Sequence, residues 1–306
     1  MVTVSVDALS ELLEAWASAY PIMRRERIRP LSATLSQATP FLDVPGLMLT
    51  GQTSLWVFAL DDVFDERLVT EAELDVVLKG CRSVACGVTT AQELSDIHVP
   101  EVAAFLVDPL VAICRELCRF PRFAALRSSW AHGLKGVLWG MTMEHRWSRD
   151  FRCHGAAALP SYEAYLEAGA ASTSTPLYVS TMLIAVEDDS VLCHLAALED
   201  MAGIAARCIR LANDLQTHRR EMLEGKVNSL VILSHQFQRR GMPVLEAQAA
   251  AESRVRDEIL SSLSTLRSLG ATPNTATGDA EAAISNIAAV ACKFYEQADY
   301  LQPRLV

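Results

Sequence analysis

The longest uninterrupted helical pattern in the chain constrains what the rest can build around it. From Val191 to Glu224 there is no proline, and the stretch Leu192 to Ile209 is rich in Ala, Leu, Ile, Met and Cys. It reads as one long helix running into a polar segment, Arg210-Leu-Ala-Asn213-Asp214-Leu-Gln-Thr217-His-Arg-Arg-Glu221. Asn213, Thr217 and Glu221 follow one another at i, i+4 and i+8, so each step turns the side chain by only about 40° around the axis. An amide oxygen, a hydroxyl and a carboxylate therefore line one face. Such hard oxygen donors suit Mg²⁺, which shares its remaining positions with water and substrate phosphate. A solvated polar face has the same spacing, so the triplet alone does not decide.

A second cluster shifts the balance. Asp61-Asp62-Val-Phe-Asp65-Glu66 closes the apolar run Ser54-Leu-Trp56-Val-Phe58-Ala-Leu60, which reads as a buried helix with Asp61 and Asp65 one turn apart. Neighbouring carboxylates on an apolar helix repel one another and are costly to desolvate, so they require counter-ions. Divalent cations supply them.

These two segments resemble the metal motifs of class I terpene synthases: Asp61-Asp62-Val63-Phe64-Asp65 matches the DDxxD motif, and Asn213 to Glu221 matches (N/D)Dxx(S/T)xxxE. Downstream, Arg210-Leu-Ala-Asn213-Asp214 and Arg220-Glu221 through Gly225-Lys226-Val-Asn228 are similar to the RLxND and RExxxGKxN strings of class I diterpene synthases of the kaurene synthase kind. The resemblance implies a single all-α domain over residues 1–306, a helical bundle around a hydrophobic cavity. It also implies three Mg²⁺ ions held by Asp61, Asp65, Asn213, Thr217 and Glu221.

The rest of the chain agrees with that class. Basic residues number 27 against 37 acidic ones, a formal charge of −10 that argues against a nucleic-acid partner. Bound divalent ions would invert the local sign at a diphosphate site. Short basic runs such as Arg24-Arg-Glu-Arg27 and Arg239-Arg240 read as solvated segments. The eight cysteines show no zinc spacing and read mostly as core residues in a reduced compartment. His132 and His145 read as structural. No apolar stretch is long enough to span a bilayer and no secretion signal is visible at the N-terminus, so a cytoplasmic protein without stable membrane insertion is expected.

Helical patterns cover 6–20, 33–41, 48–65, 71–94, 102–118, 122–149, 161–185, 191–224, 230–240, 243–269 and 280–300, punctuated by prolines at 21, 30, 100, 121, 160 and 243. Asp7, Thr70 and Ser161 are the expected N-caps. Gly270 to Gly278 reads as a long flexible loop. Within 161–185 the pattern contradicts itself: Gly169, Ser172, Thr173, Ser174, Thr175 and Pro176 gather in mid-helix, and a break is expected near 171–175. A plain loop would look the same. The other reading has Ser172, Thr173 and Ser174 facing a pocket, where carbonyl and hydroxyl dipoles stabilise a carbocation. Tyr165-Leu166 followed by Ser172 and Pro176 is similar to the corresponding helix of diterpene members of the family.

Many microbial sesquiterpene synthases carry a diphosphate-sensing Arg on that helix. Here the region offers Glu167, and there is no Arg between Ser161 and Ala206. Their C-terminal Arg-Tyr pair is also missing, with Tyr295, Tyr300 and Arg304 only approximate substitutes. Arg210, as a fork, and Lys226, as a point charge, are then the expected diphosphate partners. Phe58, Trp56, Trp139 and Tyr178 are the aromatic candidates for the hydrocarbon, although aromatics on buried helices serve core packing at least as often. Asp61, Asp62, Ser172 and Ser174 are the candidates for the chemistry itself.

The expected activity is Mg²⁺-dependent ionisation of a prenyl diphosphate, first a copalyl-type diphosphate made by a separate class II cyclase, since no DxDD motif is present. Geranylgeranyl or farnesyl diphosphate is the alternative within the same fold, and a catalytically silent helical binding protein the alternative outside it. A homodimer is compatible with either.

Overall fold

Caps and prolines set most helix boundaries in the computed structural model, which describes residues 4–66, 68–87 and 100–297. Helix α1 (Val6–Ala17) opens on Ser5, whose Oγ accepts the Ala8 N–H, and not on Asp7, which falls in its first turn. Helix α2 (Ile28–Ala38) begins before the expected Ala33. Pro30 lies in its first turn, where a missing N–H has no helical partner to lose. Helix α3 (Val44–Asp65) starts from Asp43, whose carboxylate accepts the Gly46 N–H at 2.8 Å. Helix α4 (Glu71–Gly87) starts from a reciprocal cap: Thr70 Oγ1 accepts the Glu73 N–H and Glu73 Oε2 accepts the Thr70 N–H. Its expected continuation to Leu94 lies outside the described residues.

Helices α5 (Glu101–Leu117) and α6 (Phe123–His154) follow, then α7 (Tyr162–Ser172), capped by Ser161, and α8 (Thr175–Ala185). The long helix α9 (Leu195–Glu224) is entered through a 3₁₀ turn at Asp189–Leu192, later than the expected start at Val191. Helices α10 (Ser229–Arg239), α11 (Val244–Ala271) and α12 (Asp279–Tyr295) complete the order. The expected extension of α12 to Tyr300 ends outside the described residues. Among the described residues there is no strand, and no helix is long and apolar enough to cross a membrane.

Helix α3 is the hub: Leu47, Leu49, Leu55, Val57 and Leu60 are all buried, and it is flanked by α1, α2, α5, α6 and α8. Trp56 is fully buried against α5, where its Nε1 donates to the Leu106 carbonyl at 2.8 Å. Helix α9 packs against α7, α8, α11 and α12. Helix α6 lies unusually close to α7, because a Cβ at Gly140 would come within 2.5 Å of the Ala168 carbonyl oxygen. Of the cysteines, Cys81, Cys114, Cys208 and Cys292 are core residues and Cys118 packs half-buried against the core, whereas Cys86, Cys153 and Cys193 are exposed.

The segment from Gly270 to Gly278 is not a free loop. Glu281 accepts the N–H groups of Asn274 and Thr275, and Asp188 accepts the Thr277 N–H at 3.0 Å together with the Ser190 N–H and hydroxyl. Burial alone would raise the Asp188 carboxyl, but the hydrogen bonds from Ser190 and Thr277 prevail and bring it down to about 2. Replacing Asp188 with Asn sets an amide NH₂ against the Thr277 N–H and is expected to lower stability by about 1–3 kcal/mol in chemical denaturation. Because the folded value lies below the ordinary 3.8, this stabilisation is complete above 3.8 and is lost as pH falls from there through about 2. Wild-type and variant stabilities should converge over that window; a constant gap down to pH 2 would assign the loop's order to something else.

Candidate active site

Helix α3 ends with Asp61 and Asp65 on its last turn, and helix α9 carries Asn213 and Glu221 on one stripe. These four side chains line a single cavity of about 400 Å³. The two motifs, far apart in sequence, thus face each other across one space. Thr217 lies on the same stripe but is buried between its neighbours, its hydroxyl donating to the Asn213 carbonyl at 2.9 Å. The lone pairs of that hydroxyl remain available to a cation.

The chain after α9 folds back onto it. Gly225 takes a left-handed conformation (φ 67°), so the Lys226 N–H reaches the Glu221 carbonyl at 2.8 Å. Lys226 Nζ then sits 2.7 Å from Asp65 and 3.2 Å from Glu224, joining the end of α9 to the end of α3. Asn228 donates to Glu221 at 2.7 Å and to the Asp214 carbonyl at 3.1 Å, and Asp214 accepts the Ser229 N–H. The Gly225 to Ser229 string is therefore a clasp that fixes where Glu221 and Lys226 point.

The electrostatics of this wall call for added positive charge. Burial, and then the neighbouring Asp65, push the Asp61 carboxyl well above the ordinary carboxylate value. Burial, and then Asp214, push Glu221 up to about 7. Burial opposes the Lys226 charge, yet Asp65 outweighs it and raises the ammonium. Among the described residues no three His, Cys, Asp or Glu side chains converge as a ready-made metal site. What is present instead is sparse oxygen donors on two facing walls, with cavity between them. That donor set fits a hard divalent cation that completes its shell from water and phosphate.

Asp62 has a different place. Turned about 100° around α3 from Asp61, it is buried and points away from the cavity into Arg27, at 2.6 Å, and Arg24, at 3.0 Å. Burial still raises it despite both arginines. Within the run Arg24 to Arg27, Arg25 and Glu26 are exposed as expected and Arg24 is half-buried, but Arg27 is not solvated. Arg27 is only 3% exposed: it donates to the Phe58 carbonyl, stacks 5.2 Å over the Phe58 ring and reaches the cavity wall. A basic run gives no hint of this from composition; the hint is an orphan acid, Asp62, on the buried face of α3.

A smaller void of about 90 Å³ adjoins the polar cavity and shares Phe58 and Tyr295 with it. Its other walls include Leu35, Thr173, Ser174, Tyr178 and Ile287. The expected break falls here: α7 ends at Ser172, α8 begins at Thr175, and Ser174 is left-handed at φ 61°. Pro176 has no N–H to offer the Ser172 carbonyl, which a continuous helix would have satisfied. Ser172 itself turns from the void toward α6, where it meets Glu144 at 2.5 Å. Trp56, committed to the core against α5, and Trp139, 41% exposed on α6, lie outside both spaces. Tyr300 and Arg304 lie outside the described residues.

Arg210 reaches the cavity with its fork already engaged. Its Nε meets Asp214 at 2.9 Å and the Tyr165 hydroxyl at 3.0 Å, its Nη1 meets Glu144, and its Nη2 meets Tyr165 again. The Cα hydrogen face of Gly169 makes room for it, since a Cβ there would come within 2.9 Å of the Arg210 side chain. Burial opposes its charge, but Asp214 and Glu144 hold it firmly protonated. The cavity lining also includes Arg220, the first residue of the RExxxGKxN string, and three residues outside every motif string, Arg152, Glu144 and His145.

The sequence profile described as terpene synthase family 2, C-terminal metal binding, matches residues 52–260, spanning both acidic walls. The chain belongs to this terpene synthase family. Solved structures show the same fold. A variant of the SVS_A2 protein from ancestral sequence reconstruction superimposes with a TM-score of 0.71 at 17% identity, covering 95% of this chain and 84% of that one. Linalool/nerolidol synthase from Streptomyces clavuligerus, in complex with 2-fluorogeranyl diphosphate, gives 0.68 at 17% identity, with 97% and 96% covered. 2-Methylisoborneol synthase from Streptomyces coelicolor A3(2) gives 0.67 at 16%, with 95% and 90% covered. No curated protein matches the chain in sequence.

In this terpene synthase the Arg27–Asp62 pair should matter to folding before it matters to chemistry. Arg27→Met leaves the buried Asp62 carboxylate with only the half-buried Arg24 and is expected to cost on the order of 3 kcal/mol in denaturant unfolding. Adding Asp62→Asn to that background should recover part of the loss; strictly additive losses would show that the two side chains are not energetically coupled.

Proposed function

We propose that the protein is a class I terpene synthase that ionises an allylic prenyl diphosphate and folds the resulting cation into a terpene. One observation carries the reading: Asp61 and Asp65 of one motif and Asn213 and Glu221 of the other line one polar cavity, which shares Phe58 and Tyr295 with an adjoining apolar void bounded by a broken helix. Breaking the allylic C–O bond leaves an anion at the polar end and a cation at the apolar end, and this cavity is divided the same way.

Divalent cations, Mg²⁺ in our reading, held by Asp61 and Asp65 on one wall and by Asn213, Thr217 and Glu221 on the other, would neutralise the departing diphosphate. Lys226, Arg152 and Arg220 add fixed positive charge at that end. At the other end Phe58 and Tyr178 exclude water and offer ring faces to the cation. Phe58 already carries Arg27 over one face of its ring. Thr173 and Ser174 present hydroxyl oxygens, and the break supplies carbonyl dipoles.

For the substrate, the RLxND and RExxxGKxN strings support the copalyl-type reading. The void of about 90 Å³ is smaller than the hydrocarbon of any of these substrates, so its walls must part for an acyclic geranyl, farnesyl or geranylgeranyl chain as well as for a bicyclic one. A neighbour of the same fold that holds 2-fluorogeranyl diphosphate supports the acyclic reading, which we favour.

Purified protein incubated with Mg²⁺ and each diphosphate should give hydrocarbon or alcohol products by gas chromatography from at least one acyclic substrate. Turnover of copalyl diphosphate alone would overturn the acyclic assignment, and no turnover of any would overturn the synthase reading. Asn213→Ala should abolish turnover with helicity intact by circular dichroism, and full activity would show the second wall does not hold metal. Chelation with EDTA should silence the wild type and Mg²⁺ should restore it.

A further inference from the structure

Cys208 on α9 and Cys292 on α12 belong to neither acidic motif and line neither cavity, yet their sulfurs lie 3.5 Å apart. Cys208 is fully buried and Cys292 is 6% exposed. Their neighbours in the chain are part of the site. Ile209 and Ala291 line the apolar void, Arg210 lines the polar cavity, and Tyr295, one turn beyond Cys292, is shared by both. Successive helical residues are turned by about 100°, so the thiol pair stands behind the wall that α9 and α12 present to the substrate space.

Little besides packing holds these thiols as they are. The Cys208 sulfur is 3.7 Å from the Ile259 carbonyl oxygen on α11, and the Cys292 sulfur is 3.9 Å from the Cys208 carbonyl oxygen. A thiol is a weak donor, so small hydrogen-bond energies are given up if both protons leave. The contact with Cys208, and then burial, push the Cys292 thiol upward, which keeps it neutral and slow to react. Closing the gap from 3.5 Å to the disulfide length of about 2.05 Å asks for side-chain rotation and a small shift between two helices that already pack together.

We propose that Cys208 and Cys292 are a redox-sensitive pair, and that oxidation joins them in a reversible disulfide that pins α9 to α12 and keeps the wall of the void from parting. The oxidant is a hydroperoxide, hydrogen peroxide in the simplest case. The sulfur of Cys292, the less deeply buried of the two, attacks one peroxide oxygen. An S–O bond forms, the O–O bond breaks, and water leaves with the thiol proton. The Cys208 sulfur then attacks the Cys292 sulfenic acid; the S–S bond forms, the S–O bond breaks and a second water leaves. Two thiols have lost two electrons, and a dithiol reductant returns them by exchange. In a compartment that keeps cysteines reduced, such a bond is a transient response to oxidant and not a structural staple. The effect on turnover rests on the synthase reading above, under which the void must open to admit the hydrocarbon; the disulfide itself does not.

Peptide mapping tests the bond directly. Full-length protein treated with hydrogen peroxide, alkylated and digested without reductant should yield a linked Cys208–Cys292 peptide by mass spectrometry, and dithiothreitol should split it. The exposed Cys86, Cys153 and Cys193 report that the oxidant has acted. Their oxidation with Cys208 and Cys292 still recovered as free thiols, or Cys292 carried to the sulfinic acid with no link, overturns the proposal. The link closes 84 residues of chain, so the oxidised protein should unfold at a higher denaturant concentration than the reduced one. Neither Cys208→Ala nor Cys292→Ala should show that rise, and a rise kept by either variant overturns the assignment. The mapping needs no variant, so it decides even if one of them fails to fold. For turnover with Mg²⁺, peroxide should slow geranylgeranyl diphosphate several-fold more than geranyl diphosphate. Dithiothreitol should restore both rates, and the alanine variants should keep theirs in peroxide. Rates that are unchanged, or lost beyond recovery by dithiothreitol, in a protein carrying the linked peptide overturn the pinning. A linked peptide in a protein inert toward every diphosphate would sink the synthase reading while leaving the disulfide in place.

Discussion

Negative charge held out of water on both sides of one cavity is the constraint from which the rest of this structure follows. Asp61 and Asp65 end an otherwise apolar helix, and Glu221 faces them from α9. The carboxyls of Asp61 and Glu221 are pushed upward because burial, and then a neighbouring carboxylate, Asp65 for the first and Asp214 for the second, disfavour ionisation. Lys226 is the chain's own partial answer, an ammonium 2.7 Å from Asp65 delivered by the turn at Gly225. Of the other cations in the lining, Arg27 pairs with Asp62 and Arg210 with Glu144 and Asp214, which leaves the facing carboxylates receptive to divalent cations. An overall charge of −10 is no obstacle to binding a diphosphate, because the anion meets the bound cations and the mouth arginines and not the average surface.

Adjacent aspartates do opposite work because a helix separates them by about 100°. Asp61 looks into the cavity; Asp62 looks the other way and anchors α3 to Arg27 and Arg24. The anchor matters to the site, since Arg27 also grips the Phe58 carbonyl and lies on its ring, fixing the aromatic that both compartments share. The metal-facing wall and the hydrocarbon-facing ring are therefore held by one buried ion pair behind them.

Periodicity made much of this readable in advance. The stripe of Asn213, Thr217 and Glu221, the turn from Asp61 to Asp65 and the break after Ser172 all follow from spacing and from proline chemistry within one segment. What spacing cannot reveal is which surfaces meet. Arg27 looked like part of a solvated run because its partners, Asp62 and Phe58, lie on another helix. Glu144 lies outside every motif string, and its partners, Ser172 and Arg210, are on two other helices. Trp56 and Phe58 are two residues apart on the same buried helix, yet only Phe58 faces the void, while Trp56 spends its N–H on Leu106. The loop before α12 read as flexible because Gly, Pro and Thr favour turns; its order comes from Asp188 and Glu281, whose carboxylates collect its N–H groups.

Glycine shows the same gap between local and tertiary information. Helix α7 ends at Ser172, inside the break expected near 171–175, and in sequence Gly169 reads only as one of the small residues that gather there. Its missing side chain is used elsewhere, as the space into which Arg210 fits, just as Gly140 is the space into which the end of α7 fits. A methyl at either position would push apart two helices whose separation sets the reach of Glu144. The bridge from Arg210 through Glu144 to Ser172 thus exists because two side chains are absent, and a feature defined by absence leaves no mark in a motif.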